Sequence, residues 1–206
     1  MKNVQPLTRG KKIAGRARTL SFLPPRPDML ATLRRGENSP EFEAMESCGP
    51  GDVLVVDANR MSQLGILGNM KTRRLWARGG VGLVTDGSVR DVDKIRDEYG
   101  LGVFGAGRSA ITGLPGSPWH EANVPISCDG VLVIPGDVVV ADDDGVVIVP
   151  QQLAAQVIEW IEEHEKVEEF IAGLVDEEQC SPGRFYPPSE DLKRRYREQA
   201  ASQKTD

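Results

Sequence analysis

Val53-Leu54-Val55-Val56 is apolar at every position, without the alternation that a strand needs when one of its faces meets water. A strand of this kind has to be covered on both sides. It follows the turn Gly49-Pro50-Gly51-Asp52 and opens a series. A helix starts after Gly68, runs through NMKTRRLWA, and stops at Arg78-Gly79-Gly80. A strand Val81–Thr85, a turn at Asp86-Gly87, a helix through Asp91–Tyr99 and a strand Gly102-Val103-Phe104 come next. Strand, helix, strand, helix, strand predicts an α/β layer whose sheet is at least partly parallel.

The flanking segments extend this core. Ile13–Phe22 alternates loosely as a strand, and Pro24-Pro25-Arg26-Pro27 then has to be loop, because proline removes ladder donors. Ser39-Pro40-Glu41 is a helix start, with serine as N-cap and proline in the first turn. Residues 105–121 read as a long Gly/Pro-rich loop, for which a functional role and disorder fit equally. From Asn123 the chain turns to short β runs broken at Pro135-Gly136-Asp137 and Asp144-Gly145, which predicts an antiparallel meander ended by Pro150. Leu153, Val157, Ile161, Val167, Ile171 and Leu174 recur near helical spacing and predict an amphipathic helix of roughly 20 residues. The tail from Cys180 reads as a separate extension ending in the charged helix EDLKRRYREQ. The expected division is an α/β domain over 1–175 and an extension over 176–206.

Composition narrows the chemistry. Thirty-one acidic residues against 25 basic ones, a net charge of -6, argue against broad electrostatic capture of nucleic acid. No apolar run approaches the ~20 residues of a bilayer crossing, and the basic N-terminus lacks the apolar stretch of a secretory signal, so a cytoplasmic protein is expected. Three dispersed cysteines do not make a disulfide framework. His120 and His164 lie near no CxxC or HxxxH pattern, which removes the nitrogen and sulfur ligands of a zinc site. Any metal would be a hard cation held by oxygen. Gly100–Gly105 matches G-x-G-x-x-G, but a helical segment precedes it and a loop follows, the reverse of the dinucleotide-binding context. Asp142-Asp143-Asp144 lacks the alternating ligand spacing of an EF-hand and suits a hairpin turn.

The informative stretch runs from Gly65 to Asp93. Both the helix start at Gly68-Asn69-Met70 and the Arg90-Asp91 pair fall at the carboxyl ends of predicted strands, where α/β sheets bind ligands. A helix start offers unpaired N–H groups to an anion. Arg90 can clamp a carboxylate with two parallel hydrogen bonds. Asp91 can hold a divalent cation, and one carboxylate completed by waters and substrate oxygens suits Mg²⁺. The set describes a 2-oxo acid pocket. The same two residues also suit an N-capping aspartate with a solvated arginine beside it.

Three stretches together resemble the RraA-like family: GDVLVVDA at 51–58, GNMKTRRLWARGGVGLVTDGSVRD at 68–91, and NVPISCDGVLVIPGDVVVADDDGVVIVP at 123–150. The family includes class II 4-hydroxy-4-methyl-2-oxoglutarate/oxaloacetate aldolases and a protein regulator of ribonuclease E, and the resemblance covers most of residues 10–175. It implies a swivelling β/β/α-type layered core with a C-terminal helical extension, assembled as a homotrimer or homohexamer with sites between subunits. It further implies a Mg²⁺ or Mn²⁺ site at Asp91, to which a C-terminal helix of a neighbouring subunit brings a glutamate. Glu165 and Glu168, three apart and on one helix face, are the candidates here, and a solvated acidic face is the alternative for each.

Gly68, Asn69, Met70 and Arg90 would then bind a pyruvyl carboxylate, with Arg90 and Asn69 as the catalytic pair. Retro-aldol cleavage and decarboxylation both leave a pyruvate enolate, whose charge a divalent cation stabilises. With no histidine in the motif, a metal-bound water positioned by Arg90 and Asn69 is the expected proton shuttle.

The chain departs from the family pattern at three places. Aldolases of the family carry an acidic residue with twenty residues between it and the Arg-Asp pair, and regulators carry glycine there; this chain has Asn69, which orients a water but accepts no proton as a carboxylate does. Regulators often have an acidic residue three positions after the aspartate, where this chain has Lys94. Family members usually begin with a helical segment, and here the first strand is expected almost at the start. Asn69 and this short front favour a second expectation, a non-catalytic regulator that binds ribonuclease E or another protein, with DLKRRYREQ as a basic contact face or simply a solvated helix.

Overall fold

The computed structural model describes residues 1–112 and 119–202, which form two compact units, Met1–Gln151 and Gln152–Asp206. In the first unit the strands are β1 (Gln5–Pro6), β2 (Ile13–Phe22), β3 (Asp52–Asp57), β4 (Gly65–Leu67), β5 (Gly82–Thr85), β6 (Ser88–Val89), β7 (Gly102–Gly105), β8 (Gly107–Arg108), β9 (Trp119–Ala122), β10 (Ile126–Cys128), β11 (Val131–Val133), β12 (Val138–Asp142) and β13 (Gly145–Val149). Its helices are α1 (Pro27–Thr32), α2 (Pro40–Ser47), α3 (Asn69–Ala77) and α4 (Val92–Lys94), the last continuing as a π-helical turn over Ile95–Tyr99.

The main sheet has the order β1-β7-β5-β3-β2-β12-β13, with β9 also paired to β2. Its centre, β2-β3-β5-β7, is parallel, as the βαβ reading predicts, and its outer pairs are antiparallel. β3 explains why its sequence does not alternate. Leu54 and Val56 enter one core with Leu20, Met45, Leu75 and Leu83, on the side of α2 and α3. Val53 and Val55 enter a second core with Ala17, Phe104, Cys128 and Val139. All four are at most 1% exposed, and each such side chain stabilises the fold by about 1.5–3 kcal/mol.

The meander of the last third is corrected to two separate hairpins. β10 and β11 form their own two-stranded sheet, whereas β12 and β13 join the main sheet next to β2. The buried Asp137 carboxylate redirects the chain between them, accepting the N–H of Ile134 at 2.8 Å and of Gln151 at 3.0 Å. The expected loop over 105–121 holds β8 and the start of β9, and 113–118 lie outside the described residues.

A second sheet, β4-β6-β8, is parallel throughout and positions the candidate site. β6 and β8 follow β5 and β7 almost directly, so the chain leaves one sheet and enters the next. Asp86-Gly87, expected as a turn, is this junction. The 4%-exposed Asp86 accepts the N–H of Ala58 at 2.7 Å, of Arg60 at 3.3 Å and of Asp129 at 3.2 Å, which ties two segments, 58–60 and 129, to the end of β5.

In the second unit α5 (Ala154–Glu178) is 25 residues long and α6 spans Glu190–Ser202. Val167, Ile171 and Leu174 of the predicted stripe are buried, whereas Leu153 and Ile161 are exposed. The expected basic face of α6 is largely neutralised: Lys193 pairs with Glu190, Arg194 with Asp191, and Arg197 with Glu163 of α5. The layered α/β core with C-terminal helices agrees with the sequence reading. Among the described residues no helix is long and apolar enough to cross a membrane.

Candidate functional site

α3 starts without a side-chain cap. Its N-cap residue is Gly68, and the first intrahelical bond is Thr72 N–H to Gly68 O at 3.2 Å, so the amides of Asn69, Met70 and Lys71 lie outside the ladder. The helix is anchored from below by buried Thr72 and Leu75, and Lys71 forms an ion pair with the buried Glu41 of α2. These contacts hold the N-terminus of α3 at the edge of β4.

Arg90 and Asp91 emerge from β6 beside it. The Arg90 N–H donates to Leu67 O at 2.9 Å, which continues the β4–β6 ladder into the site. The Arg90 side chain then runs across two glycines. A Cβ on Gly65 would fall 2.2 Å from Arg90 Cγ, and one on Gly68 would fall 3.2 Å from its Nη2 and 2.8 Å from Asp91 Oδ2. Arg90 Nε is buried and has no hydrogen-bond partner among the described residues. An orphaned buried donor costs about 1–3 kcal/mol, which a bound acceptor relieves.

Asp91 holds a left-handed backbone conformation, φ 56° and ψ 29°, at the N-cap of α4. Its side chain does not cap that helix. Instead Oδ2 accepts the N–H of Asn69 at 3.0 Å, across from β6 to α3. This departs from the capping alternative that the sequence left open, and it leaves Oδ1 without a hydrogen-bond partner among the described residues. It also commits one of the amides expected to bind an anion.

The pair faces a concavity. A pocket of about 470 Å³ is lined by residues 89–94 and 108–110, so Arg90 and Asp91 both form its wall. Gly68, Asn69 and Met70 do not line it; they join through the Asn69–Asp91 hydrogen bond, and Met70 is 71% exposed. Lys94 and Arg108 line it as well, two cations that the motif reading did not place there. Glu165 and Glu168 lie exposed on α5 in the second unit, where Glu168 pairs with His164 at 3.2 Å. Among the described residues no three His, Cys, Asp or Glu side chains converge on a metal position. The donor set around Asp91 is a single carboxylate with one unpartnered oxygen. That fits a cation which keeps most of its waters, as Mg²⁺ does, and does not fit zinc.

Near the same edge, burial pushes the Asp57 carboxyl above its ordinary range, and the neighbouring Asp86 acts in the same direction. The sequence reading missed Asp86 as an anchor. An Asp-Gly pair is the common signature of a turn, and nothing local distinguishes a carboxylate that collects three distant amides.

The family model described as RraA-like, Aldolase/RraA, matches residues 1–148. The chain belongs to the RraA-like family. A Thermus thermophilus protein named 4-hydroxy-4-methyl-2-oxoglutarate aldolase is 32% identical over 143 residues, 68% of this chain and 77% of that protein. A relative from Halalkalibacterium halodurans is 31% identical over 148 residues, 72% of this chain, and the chain spans 64% of that protein's length. The crystal structure of Streptomyces coelicolor RraAS2, described as an unusual member of the RNase ES inhibitor RraA protein family, superposes with a TM-score of 0.72 at 36% identity. That match covers 82% of this chain and 81% of the other. The family match ends within β13, so α5, α6 and both candidate glutamates lie beyond it.

Proposed function

We propose that this protein is a divalent-metal-dependent lyase that cleaves or decarboxylates a 2-oxo acid of the 4-hydroxy-4-methyl-2-oxoglutarate or oxaloacetate type to pyruvate. The observation that carries the reading is the Asp91 carboxylate. It turns from its own helix to the start of α3 and, among the described residues, keeps one oxygen unpartnered beside a guanidinium with a buried, unpaired Nε. The aldolase name of the Thermus thermophilus relative supports it.

In this reading Arg90 binds the pyruvyl carboxylate through its guanidinium, and the Met70 amide at the open end of α3 adds a second donor. Asp91 would hold Mg²⁺ or Mn²⁺, which would supply Lewis-acid stabilisation of the developing negative charge. Glu165 or Glu168 of a neighbouring subunit completes the site in a trimer or a pair of trimers. The Asn69 side chain orients a water that takes the 4-hydroxyl proton in the retro-aldol reaction and returns a proton to the product carbon; in decarboxylation, where CO₂ leaves, the water supplies that proton. When the carbon–carbon bond breaks, its electron pair passes to the 2-oxo oxygen, and Arg90 keeps the carboxylate fixed throughout. A coupled assay for pyruvate from oxaloacetate and from 4-hydroxy-4-methyl-2-oxoglutarate tests this. Release that EDTA abolishes and Mg²⁺ or Mn²⁺ restores is expected; no release with any divalent cation rejects the lyase.

One observation favours a second reading. Asn69 stands where the aldolases of the family carry an acid, and the chain is 36% identical to RraAS2. A non-catalytic regulator would keep the scaffold and bind a ribonuclease E-type scaffold protein through its surface. A pull-down on that scaffold, run beside the pyruvate assay, separates the two.

A further inference from the structure

The pocket beyond Asp91 is lined by three cations and two carboxylates, Asp91 and Asp93. Arg90 is already assigned to the pyruvyl end, yet Lys94 and Arg108 line the same 470 Å³ concavity. Arg108 is a half-exposed arginine tethered at two points. Its Nη1 donates to Asp93 Oδ1 at 2.9 Å and its Nη2 donates to the Leu7 carbonyl at 3.0 Å, so two of its five N–H groups are engaged among the described residues. Asp93 is also held by Arg96 Nη1 at 3.1 Å, which fixes the brace itself. Lys94 is only loosely engaged, 3.6 Å from Glu98. A tethered guanidinium that opens on a cleft suits a planar anion, because its donor fork matches a carboxylate.

We infer that Arg108 is a specificity-determining residue which, with Lys94 adding field, reads a second carboxylate at the far end of the substrate and selects dianionic over monoanionic 2-oxo acids. The inference rests on the lyase reading for the pyruvyl end, and it assigns the distal end to residues that lie outside the Arg-Asp motif. Arg96 provides the internal control. It contacts the same Asp93 but does not line the pocket, so an effect that comes only from loosening Asp93 appears in Arg96→Gln as well, whereas a specificity role appears in Arg108→Gln alone.

The test compares 4-hydroxy-4-methyl-2-oxoglutarate with 4-hydroxy-2-oxopentanoate, which is cleaved by the same retro-aldol reaction and has no distal carboxylate, in wild type, Arg108→Gln, Arg108→Lys and Arg96→Gln. In parallel, calorimetry measures 2-oxoglutarate against pyruvate binding. Arg108→Gln is expected to lower the ratio of kcat/KM for the dianion over the monoanion by about tenfold or more, with Arg108→Lys intermediate and Arg96→Gln shifting it by less than about twofold. The ratio of affinities for 2-oxoglutarate and pyruvate should move in parallel. An unchanged ratio in Arg108→Gln, or an equal shift in Arg96→Gln, overturns the inference while leaving the lyase intact. Arg108-dependent preference for 2-oxoglutarate in a protein that turns over neither substrate upholds the inference and rejects the lyase. Equal binding of 2-oxoglutarate and pyruvate by an inactive wild type rejects both. Thermal melts of each variant, with Arg108→Lys as the milder change, show whether a loss reflects unfolding.

Discussion

The Asp91 carboxylate accepts the backbone N–H of Asn69 at 3.0 Å, so one side chain joins the end of β6 to the start of α3. That contact gives Asp91 two separable roles, acceptor and cation ligand. Asp91→Asn keeps an acceptor and removes the charge, whereas Asp91→Ala removes both. Both variants are expected to lose metal-dependent pyruvate release by at least about a hundredfold. Only Asp91→Ala should also lower the melting temperature, by a few degrees for about 1 kcal/mol. Wild-type turnover in either variant would place the cation elsewhere.

Gly68 tests the aim of the guanidinium. Its φ of -141° is ordinary extended backbone, so alanine there meets no conformational barrier, and its weaker capping costs about 1 kcal/mol or less. The added Cβ would nevertheless lie 2.8 Å from Asp91 Oδ2 and 3.2 Å from Arg90 Nη2. Gly68→Ala is therefore expected to raise KM for pyruvyl substrates about tenfold, because displacing positioning groups by a few tenths of an ångström weakens a bidentate clamp. A KM within twofold of wild type, measured in the coupled assay, would show that Arg90 does not hold the substrate.

Asn69 separates the two functional readings. It sits at the first position of α3, with its backbone amide on Asp91. Installing a carboxylate through Asn69→Asp supplies a proton acceptor where the amide only orients water. An enzyme limited by that step should gain about tenfold or more in retro-aldol kcat, within the usual reach of general acid–base catalysis. A non-catalytic scaffold gains nothing, and single-turnover pyruvate release distinguishes the outcomes.

The βαβ core was legible because its signals are local: β3 lacks a polar face, α3 carries its stop at Arg78-Gly79-Gly80, and β2 is bounded by the proline run that follows it. The Arg90-Asp91 pair was legible for a similar reason, since adjacent residues after a strand stay together in any fold. Three features were not. β11 and β12 read as neighbours in a meander, but Asp137 sends them to different sheets through hydrogen bonds to residues up to fourteen positions away. Arg108 became a pocket residue only because parallel pairing sets β8 beside β6. The uncovered first half of the α5 stripe carries the same periodicity as its buried half, so the pattern alone does not say which part finds a partner within the unit.

Asp86 is the case where a charge supports the site without facing it. Its carboxylate accepts three amides from 26 to 43 residues away, at the junction that delivers β6 and hence Arg90. Asp86→Ala leaves those three N–H groups without their acceptor and is expected to destabilise the fold by about 3 kcal/mol or more in urea unfolding. Asp86→Asn keeps one acceptor oxygen but turns an N–H₂ toward donors, so it should fall between wild type and alanine. A loss below about 1 kcal/mol in the alanine variant would mean that water replaces the carboxylate.

The cysteines give a test of the cores that is independent of any activity. Cys48 is fully buried, and burial, reinforced by the neighbouring Asp52 charge, pushes its thiol up to about 12. Burial raises the Cys128 thiol as well, with Asp86 acting in the same direction. A thiol with a pKa near 12 is ionised to only about one part in ten thousand at pH 8, and the thiolate is the nucleophile. Cys180, between α5 and α6, is partly exposed. Ellman's reagent at pH 8 is therefore expected to titrate one of the three thiols in the native protein and all three in guanidinium. Raising the pH to 9 should leave the two buried thiols silent, because burial holds their folded-state ionisation above that range. Rapid native modification of Cys48 would mean that the core formed by β3, α2 and α3 opens on the timescale of the assay.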